Sequence, residues 1–181
     1  MLQIVIPERE YWNERTEEFI HTKEQTLCLE HSLVSLSKWE AKWKKPFLSS
    51  FGSSATDEEI IDYIKCMTIT QNVDSNVYLS LSPENFREVF AYIDDPMTAT
   101  KIKETPGRGG REIITAELIY QWMIALNVPL ECQKWHLNRL LTLIRVCDIK
   151  GSPQKKMGRE KTMIDNSRIN EMRKKQLKTT G

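Results

Sequence analysis

The feature that most constrains the fold is a helical pattern over residues 128–151, the longest in the chain. Pro129 suits the first turn of a helix, and Gly151 suits the position just past its end. Apolar residues recur between them at steps of three and four, which predicts one broad buried face. We expect the other elements to pack onto this face, which consists of Leu130, Leu137, Leu140, Leu141, Ile144 and Cys147.

Residues 113–127 predict a second helix that is apolar on most sides, as a central helix would be. The link to the first pattern is short, so the two helices are expected to be antiparallel neighbours. Three further helix starts are indicated. Ser32 is a predicted N-cap, Thr56 and Glu59 have the spacing of a capping box, and Ser82 precedes a proline at the first helical position. Residues 47–54 are interpreted as a loop.

A small amount of β structure is predicted near the N-terminus. Residues 2–6 indicate a short strand that ends at Pro7. Residues 8–18 are expected to be irregular or a short helix, and residues 19–30 to form a hairpin that turns at Lys23 and Glu24. Residues 77–81 have some strand character. The predicted fold class is mainly α, a compact helical domain with minor β structure near the N-terminus and a flexible basic C-terminal tail.

Charge divides the chain at the end of the longest helical pattern. Residues 152–181 contain nine basic and three acidic residues, a net charge of +6, whereas residues 1–151 carry −5. We therefore predict a helix-rich globular domain over residues 1–151 and a basic tail over residues 152–181. A length of 181 residues allows one domain with a substantial core. No apolar run approaches the roughly 20 residues of a membrane span, and no secretory signal is recognised, so a cytoplasmic location is expected.

The basic tail has three interpretations: an arm that binds nucleic acid, a segment that orders on a protein partner, or a solvated tail. It contains no aromatic residue for base stacking, so protein binding or a plain tail is preferred. Residues 105–112 are glycine-rich without a phosphate-loop signature, and are interpreted as an exposed mobile loop. The candidate partner-binding residues in these two segments are Arg108, Arg111, Lys155, Lys156, Arg159, Arg173, Lys174 and Lys175.

Five tryptophans are present, and most are expected in the core. Trp135 lies off the main apolar stripe, so it is a candidate for a contact surface between chains, although a core position is preferred; Trp122 is a second candidate. The spacing of Cys28 with His31 and of Cys132 with His136 resembles halves of a zinc site. Free buried thiols and hydrogen-bonded histidines are the preferred interpretation. We predict no catalytic residue, no metal and no cofactor.

Several segments together resemble a family of tailed-bacteriophage proteins, the tail assembly chaperones. The similar segments are EHSLVSLSKWEAKWKKPFL, EIIDYIKCMTITQNV, DDPMTATKI, REIITAELIYQWMI, ECQKWHLNRLLTLIRVC and SPQKKMGR, so the resemblance covers nearly the whole chain. It implies a non-enzymatic, helix-rich protein of the host cytoplasm. Such proteins bind the tape-measure protein, and sometimes the tail-tube protein, before the tail tube polymerises.

The resemblance implies no catalytic residues, and self-association of the chain stays open. Three rival functions are weighed beside it. The first is a phage-encoded inhibitor or trigger of host antiviral defence, and the second is a head–tail structural component of the virion. The third is an enzyme such as a nuclease, which the sequence disfavours because it lacks a clustered set of metal-binding acids and histidines. No membrane partner is expected.

Overall fold

The computed structural model describes residues 1–13, 17–102 and 113–151, together with residues 168–169, 171–173 and 176. The chain divides into two units, Met1–Asp148 and Ile149–Gly181. The first unit is mostly helical, with two small antiparallel sheets near its N-terminus. The described residues of the second unit are the end of a helix and a few exposed helical positions. Most of the predicted tail, residues 152–181, lies outside the described residues.

The four strands form two consecutive two-stranded sheets that share one register, as in a ribbon interrupted in its middle. Strands β1 (Leu2–Ile6) and β4 (Gln25–Leu29) pair, and so do β2 (Arg9–Asn13) and β3 (Glu18–Thr22). Both pairs keep the same register, since Leu2 lies opposite Leu29 and Asn13 opposite Glu18. The break coincides with Pro7, which has no N–H to donate to a ladder. The predicted strand at residues 2–6 is confirmed.

The two strand segments predicted within residues 19–30 are present as β3 and β4, but their pairing as a hairpin and the prediction for residues 8–18 were wrong. Residues 8–18 contain β2, and Lys23 and Glu24 connect β3 to β4 instead of turning a hairpin. Alternation places Ile4 and Ile6 on the buried face of β1. Beyond the break, the other face of the strand pair is the buried one, and it carries Thr22. Two-stranded ribbons twist strongly, and the break allows the ribbon to exchange the face that it buries. Local alternation alone did not reveal which distant strand each segment joins.

Six α-helices are described. The predicted N-caps Ser32, Thr56 and Ser82 are confirmed, and each takes part in a capping box with the residue three positions later. Two 3-10 helices, Ser75–Ser80 and Leu130–Lys134, lie between them. The α-helices are α1 (Leu33–Trp43), α2 (Phe47–Ser54), α3 (Asp57–Met67), α4 (Pro83–Asp94), α5 (Ala116–Ala125) and α6 (Leu137–Gly151).

Four further predictions need correction. Residues 47–54 form α2 and not a loop, and residues 77–81 fall mostly in a 3-10 helix and not a strand. Helix α5 is not central, because its main packing is against α1 on one side and Ile124 is 70% exposed on another. Helix α6 begins at Leu137, since Leu130–Lys134 forms a separate 3-10 helix and Leu130 is exposed. The predicted buried face of α6 is confirmed at Leu137, Leu140 and Ile144.

The packing centre is α1 and not α6. Helix α1 contacts α2, α3, α5 and the second 3-10 helix. Its Leu33, Leu36 and Trp39 are fully buried. The Trp39 ring meets Phe47 edge-on at 5.3 Å, and its indole N–H donates to the Glu59 carbonyl at 2.9 Å. Helix α1 has 11 residues and α6 has 15, so length did not identify the packing centre, which depends on the elements that surround α1.

One buried carboxylate on α1 caps two other helices. Helices α2 and α5 have N-cap residues, Pro46 and Thr115, that make no side-chain cap bond. Glu40 Oε1 accepts from the Phe47 N–H at 2.7 Å, and Glu40 Oε2 accepts from the Ala116 N–H at 2.7 Å. Both donors are the first residues of their helices, where N–H groups lack intrahelical acceptors and the helix dipole favours negative charge. Glu40 therefore fixes the entry of two helices from a third.

Replacing Glu40 with glutamine tests this role. A glutamine has one carbonyl oxygen, so its NH2 group would face one of the two buried N–H donors. We expect Glu40→Gln to lower the free energy of unfolding by about 2 kcal/mol and Tm by about 4–8 °C. Thermal and urea denaturation measure the change. Glu88 is exposed on α4, so Glu88→Gln is the matched control. Equal effects of the two substitutions would contradict the capping role.

Candidate functional site

The structure brings together two histidines that are far apart in the sequence. His31 immediately precedes the N-cap of α1, and His136 immediately precedes α6. The backbone joins them, because Ser32 and His136 form a β-bridge and the Leu137 N–H donates to the His31 carbonyl at 2.8 Å. The two imidazole rings meet edge-on with centroids 5.0 Å apart, and both side chains are buried. This histidine pair is the most distinctive polar cluster in the core.

Tyrosines from α3 and α4 surround the histidine pair. His31 Nδ1 lies 2.5 Å from the Tyr63 hydroxyl oxygen. His136 Nε2 donates to the Tyr92 carbonyl at 2.9 Å, and the Tyr92 hydroxyl donates to Glu30 Oε1 at 2.7 Å. Because Nε2 of His136 carries the proton, Nδ1 is an acceptor, and it is buried without a hydrogen-bond partner among the described residues. The cluster thus joins the end of β4 to α3, α4 and the start of α6.

Burial keeps both imidazoles neutral. Desolvation, and secondarily the neighbouring His136, lowers the pKa of His31 to about 3. Desolvation also lowers the pKa of His136, although its bond to the Tyr92 carbonyl and the Glu30 and Asp95 carboxylates act in the opposite direction. Burial raises the pKa of Tyr63 and of Tyr92. All four groups are therefore uncharged at neutral pH.

The pair is poorly placed to meet a substrate, since both side chains lie inside the core. Of the four residues in the zinc-like pattern, the structure brings His31 and His136 together. No group of three or more His, Cys, Asp or Glu that would hold a metal is found in the described parts of the chain, which include Cys28 and Cys132. All four cysteines are free; Cys132 is buried and the other three are partly buried. We assign the histidine pair a structural role.

The predicted partner-binding tryptophans differ in environment. Trp135 is 36% exposed, and the Arg139 guanidinium lies 4.3 Å from the centre of its ring. Trp122 is half-buried and packs against the core. Of the predicted basic contacts, Arg173 is described and exposed. The remaining predicted contacts lie outside the described residues: Arg108, Arg111, Lys155, Lys156, Arg159, Lys174 and Lys175.

Exposed apolar side chains occur on α5 and on the segment that follows it. Ile124 is 70% exposed, Leu130 53% and Trp135 36%. The two helices that carry the first two residues pack on α1, and the Tyr120 hydroxyl is within 2.9 Å of Gln133 Oε1, which links them side by side. We call Ile124, Leu130 and Trp135 the outer apolar surface. Sequence analysis missed Ile124 and Leu130 because it counted both as core residues.

A second exposed pair lies on the distal ribbon, which consists of β2 and β3. Trp12 and Phe19 are directly opposite each other, with rings 4.9 Å apart, and they are 49% and 62% exposed. Sequence analysis did not find this pair because it did not pair the two segments.

Within the described residues, no helix is both long enough and apolar enough to cross a membrane. The chain matches no family model, no curated protein and no solved structure.

The lowered histidine pKa values predict a loss of stability in acid. The unfolded chain binds protons near pH 6.5, whereas the folded chain resists protonation of His31 down to about pH 3. Stability is therefore complete above pH 6.5 and falls as the pH falls through this window. The shift at His31 alone should lower the free energy of unfolding by about 3 kcal/mol at pH 4 relative to pH 7. Denaturant unfolding across this range measures the effect.

Comparison of variants separates His31 from the carboxylates, which also titrate in acid. His31→Gln should show a smaller decrease between pH 7 and pH 4 than the unsubstituted chain, whatever its stability at pH 7. His21 is exposed on the distal ribbon, so His21→Gln should keep the full decrease. The same pH dependence in all three proteins would show that His31 does not set it.

Proposed function

We propose that this chain is a tail assembly chaperone of a tailed bacteriophage, and that it holds the tape-measure protein through the outer apolar surface. The observation that supports this most directly is the exposure of Ile124, Leu130 and Trp135 on two adjoining helices. Exposed apolar side chains on adjoining elements are typical of surfaces that bind other proteins. Aromatic residues and arginine are enriched in such interfaces, and Trp135 lies beside Arg139.

The chemistry of the client agrees with that surface. A tape-measure protein is expected to be long and helical, and a helix docks by apolar side chains one turn apart. Helix α5 and the second 3-10 helix are anchored to α1 on their inner sides, which holds the outer side chains in place without the client. The resemblance of the sequence to tail assembly chaperones supports the same assignment. Under this proposal, the buried histidine pair serves the fold and not the client.

Co-purification from phage-infected cells tests the proposal. The tagged chain should recover the tape-measure or tail-tube protein, identified by mass spectrometry. The double variant Ile124→Gln, Leu130→Gln should lose about 90% or more of that recovery, because it removes two apolar anchors. Glutamine favours helices more than isoleucine does, so α5 should persist. Ile69→Gln is the matched control, since Ile69 is exposed elsewhere on the chain.

Three outcomes would contradict the proposal, and the first two point to rival functions. Recovery of host defence proteins in place of tail proteins would favour a modulator of host defence. Presence of the chain in purified virions would favour a structural component. Unchanged recovery of the tape-measure protein by the double variant would move the client site away from the outer apolar surface.

A further inference from the structure

The distal ribbon presents an aromatic pair to solvent. Trp12 and Phe19 form an edge-on cross-strand pair, and both side chains are about half exposed or more. The next pair along the same face is Glu10 and His21, whose side chains meet at 3.2 Å and are also exposed. The opposite face is the one that joins the body, because the Thr22 and Ser80 hydroxyls lie 2.8 Å apart. The aromatic face is thus the outward face of the distal ribbon.

The charge of this segment is distinctly acidic. Residues 8–24 contain six acids (Glu8, Glu10, Glu14, Glu17, Glu18 and Glu24) and three bases (Arg9, Arg15 and Lys23), a net charge of −3. They hold more than half of the net charge of −5 carried by residues 1–151. Since Glu10 and Trp12 are two residues apart on one strand, their side chains share a face about 7 Å apart along the strand. A cation over the Trp12 ring would lie within reach of a carboxylate.

Other tryptophans in this chain show how such a ring is used. Lys42 lies 5.5 Å from the centre of the Trp43 ring, and Arg139 lies 4.3 Å from that of Trp135. No side chain of the described residues places a cation over Trp12, which is more exposed than Trp135. The electron-rich face of an indole attracts ammonium and guanidinium groups, and nearby carboxylates add ion pairs. A partner can therefore supply a cation that stacks on the Trp12 ring.

We infer that the distal ribbon is a docking site for a basic polypeptide segment, with an arginine or lysine stacked on Trp12 and its neighbours paired with the ribbon carboxylates. The net charge of −3 over residues 8–24 favours a basic partner over an acidic one, and the aromatic pair adds stacking to the charge attraction. The site involves different residues from the outer apolar surface, so it does not require that the chain be a tail chaperone.

Fluorescence anisotropy with the full-length chain tests the site. The probe is a short labelled peptide in which arginine alternates with serine, and its counterpart has glutamate in place of arginine. We expect saturable binding of the arginine peptide, weakened by salt, and no binding of the glutamate peptide. Trp12→Leu keeps an apolar side chain but removes the indole face, and should weaken binding about fivefold to tenfold. Trp12→Phe should retain most of the affinity.

Two further variants make the result decisive. Glu10→Gln, which removes the carboxylate that shares the aromatic face, should weaken binding by a similar factor and reduce its dependence on salt. Ile124→Gln with Leu130→Gln should bind the peptide as the unsubstituted chain does, even if it loses the tape-measure protein. Equal affinities of Trp12→Leu and the unsubstituted chain would overturn the inference. So would equal binding of the two peptides, or no binding of the arginine peptide. The basic residues 152–181 of the chain are the same in every variant, so any competition from them is held constant.

Discussion

The N-cap residues of α2 and α5 make no side-chain cap bond, and Glu40 supplies an acceptor to both helices. A buried carboxylate is costly unless its oxygens are hydrogen-bonded, and here each oxygen accepts one backbone N–H at the positive end of a helix. Because Glu40 lies on α1, two segments that are distant in sequence enter the fold from the same point. The aromatic core of Trp39, Phe47, Phe51 and Tyr63 is assembled around that point.

The histidine pair joins the N-terminal end of α1 to other elements, as Glu40 does in the C-terminal half of the helix. His31 and His136 are joined by their backbones as well as by their rings, and their partners come from α3 and α4. Groups that elsewhere serve as catalysts or metal ligands are here buried, neutral and committed to internal contacts. Their place in the core explains why a pattern of Cys and His in the sequence did not produce a metal site in the described residues.

In the part of the chain that the structure describes, two groups of exposed side chains suit contact with other molecules, and their chemistry differs. The outer apolar surface of Ile124, Leu130 and Trp135 suits the apolar face of a helix. The distal ribbon combines exposed aromatic rings with acidic side chains and suits a basic segment. Both surfaces rest on elements that are anchored from behind, so neither needs a partner in order to form.

The sequence by itself determined the local features of this protein. Its N-caps at Ser32, Thr56 and Ser82, the strand at residues 2–6 and the buried stripe of α6 follow from backbone chemistry and periodicity within a few residues. Only the tertiary structure decided what lies beside what. The pairing of β2 with β3, the exposure of Ile124 and the meeting of His31 with His136 depend on contacts between distant segments. Periodicity shows that a helix has an apolar side. It does not show whether a neighbour covers that side. At α5 part of the apolar surface is uncovered, so a residue expected in the core is exposed.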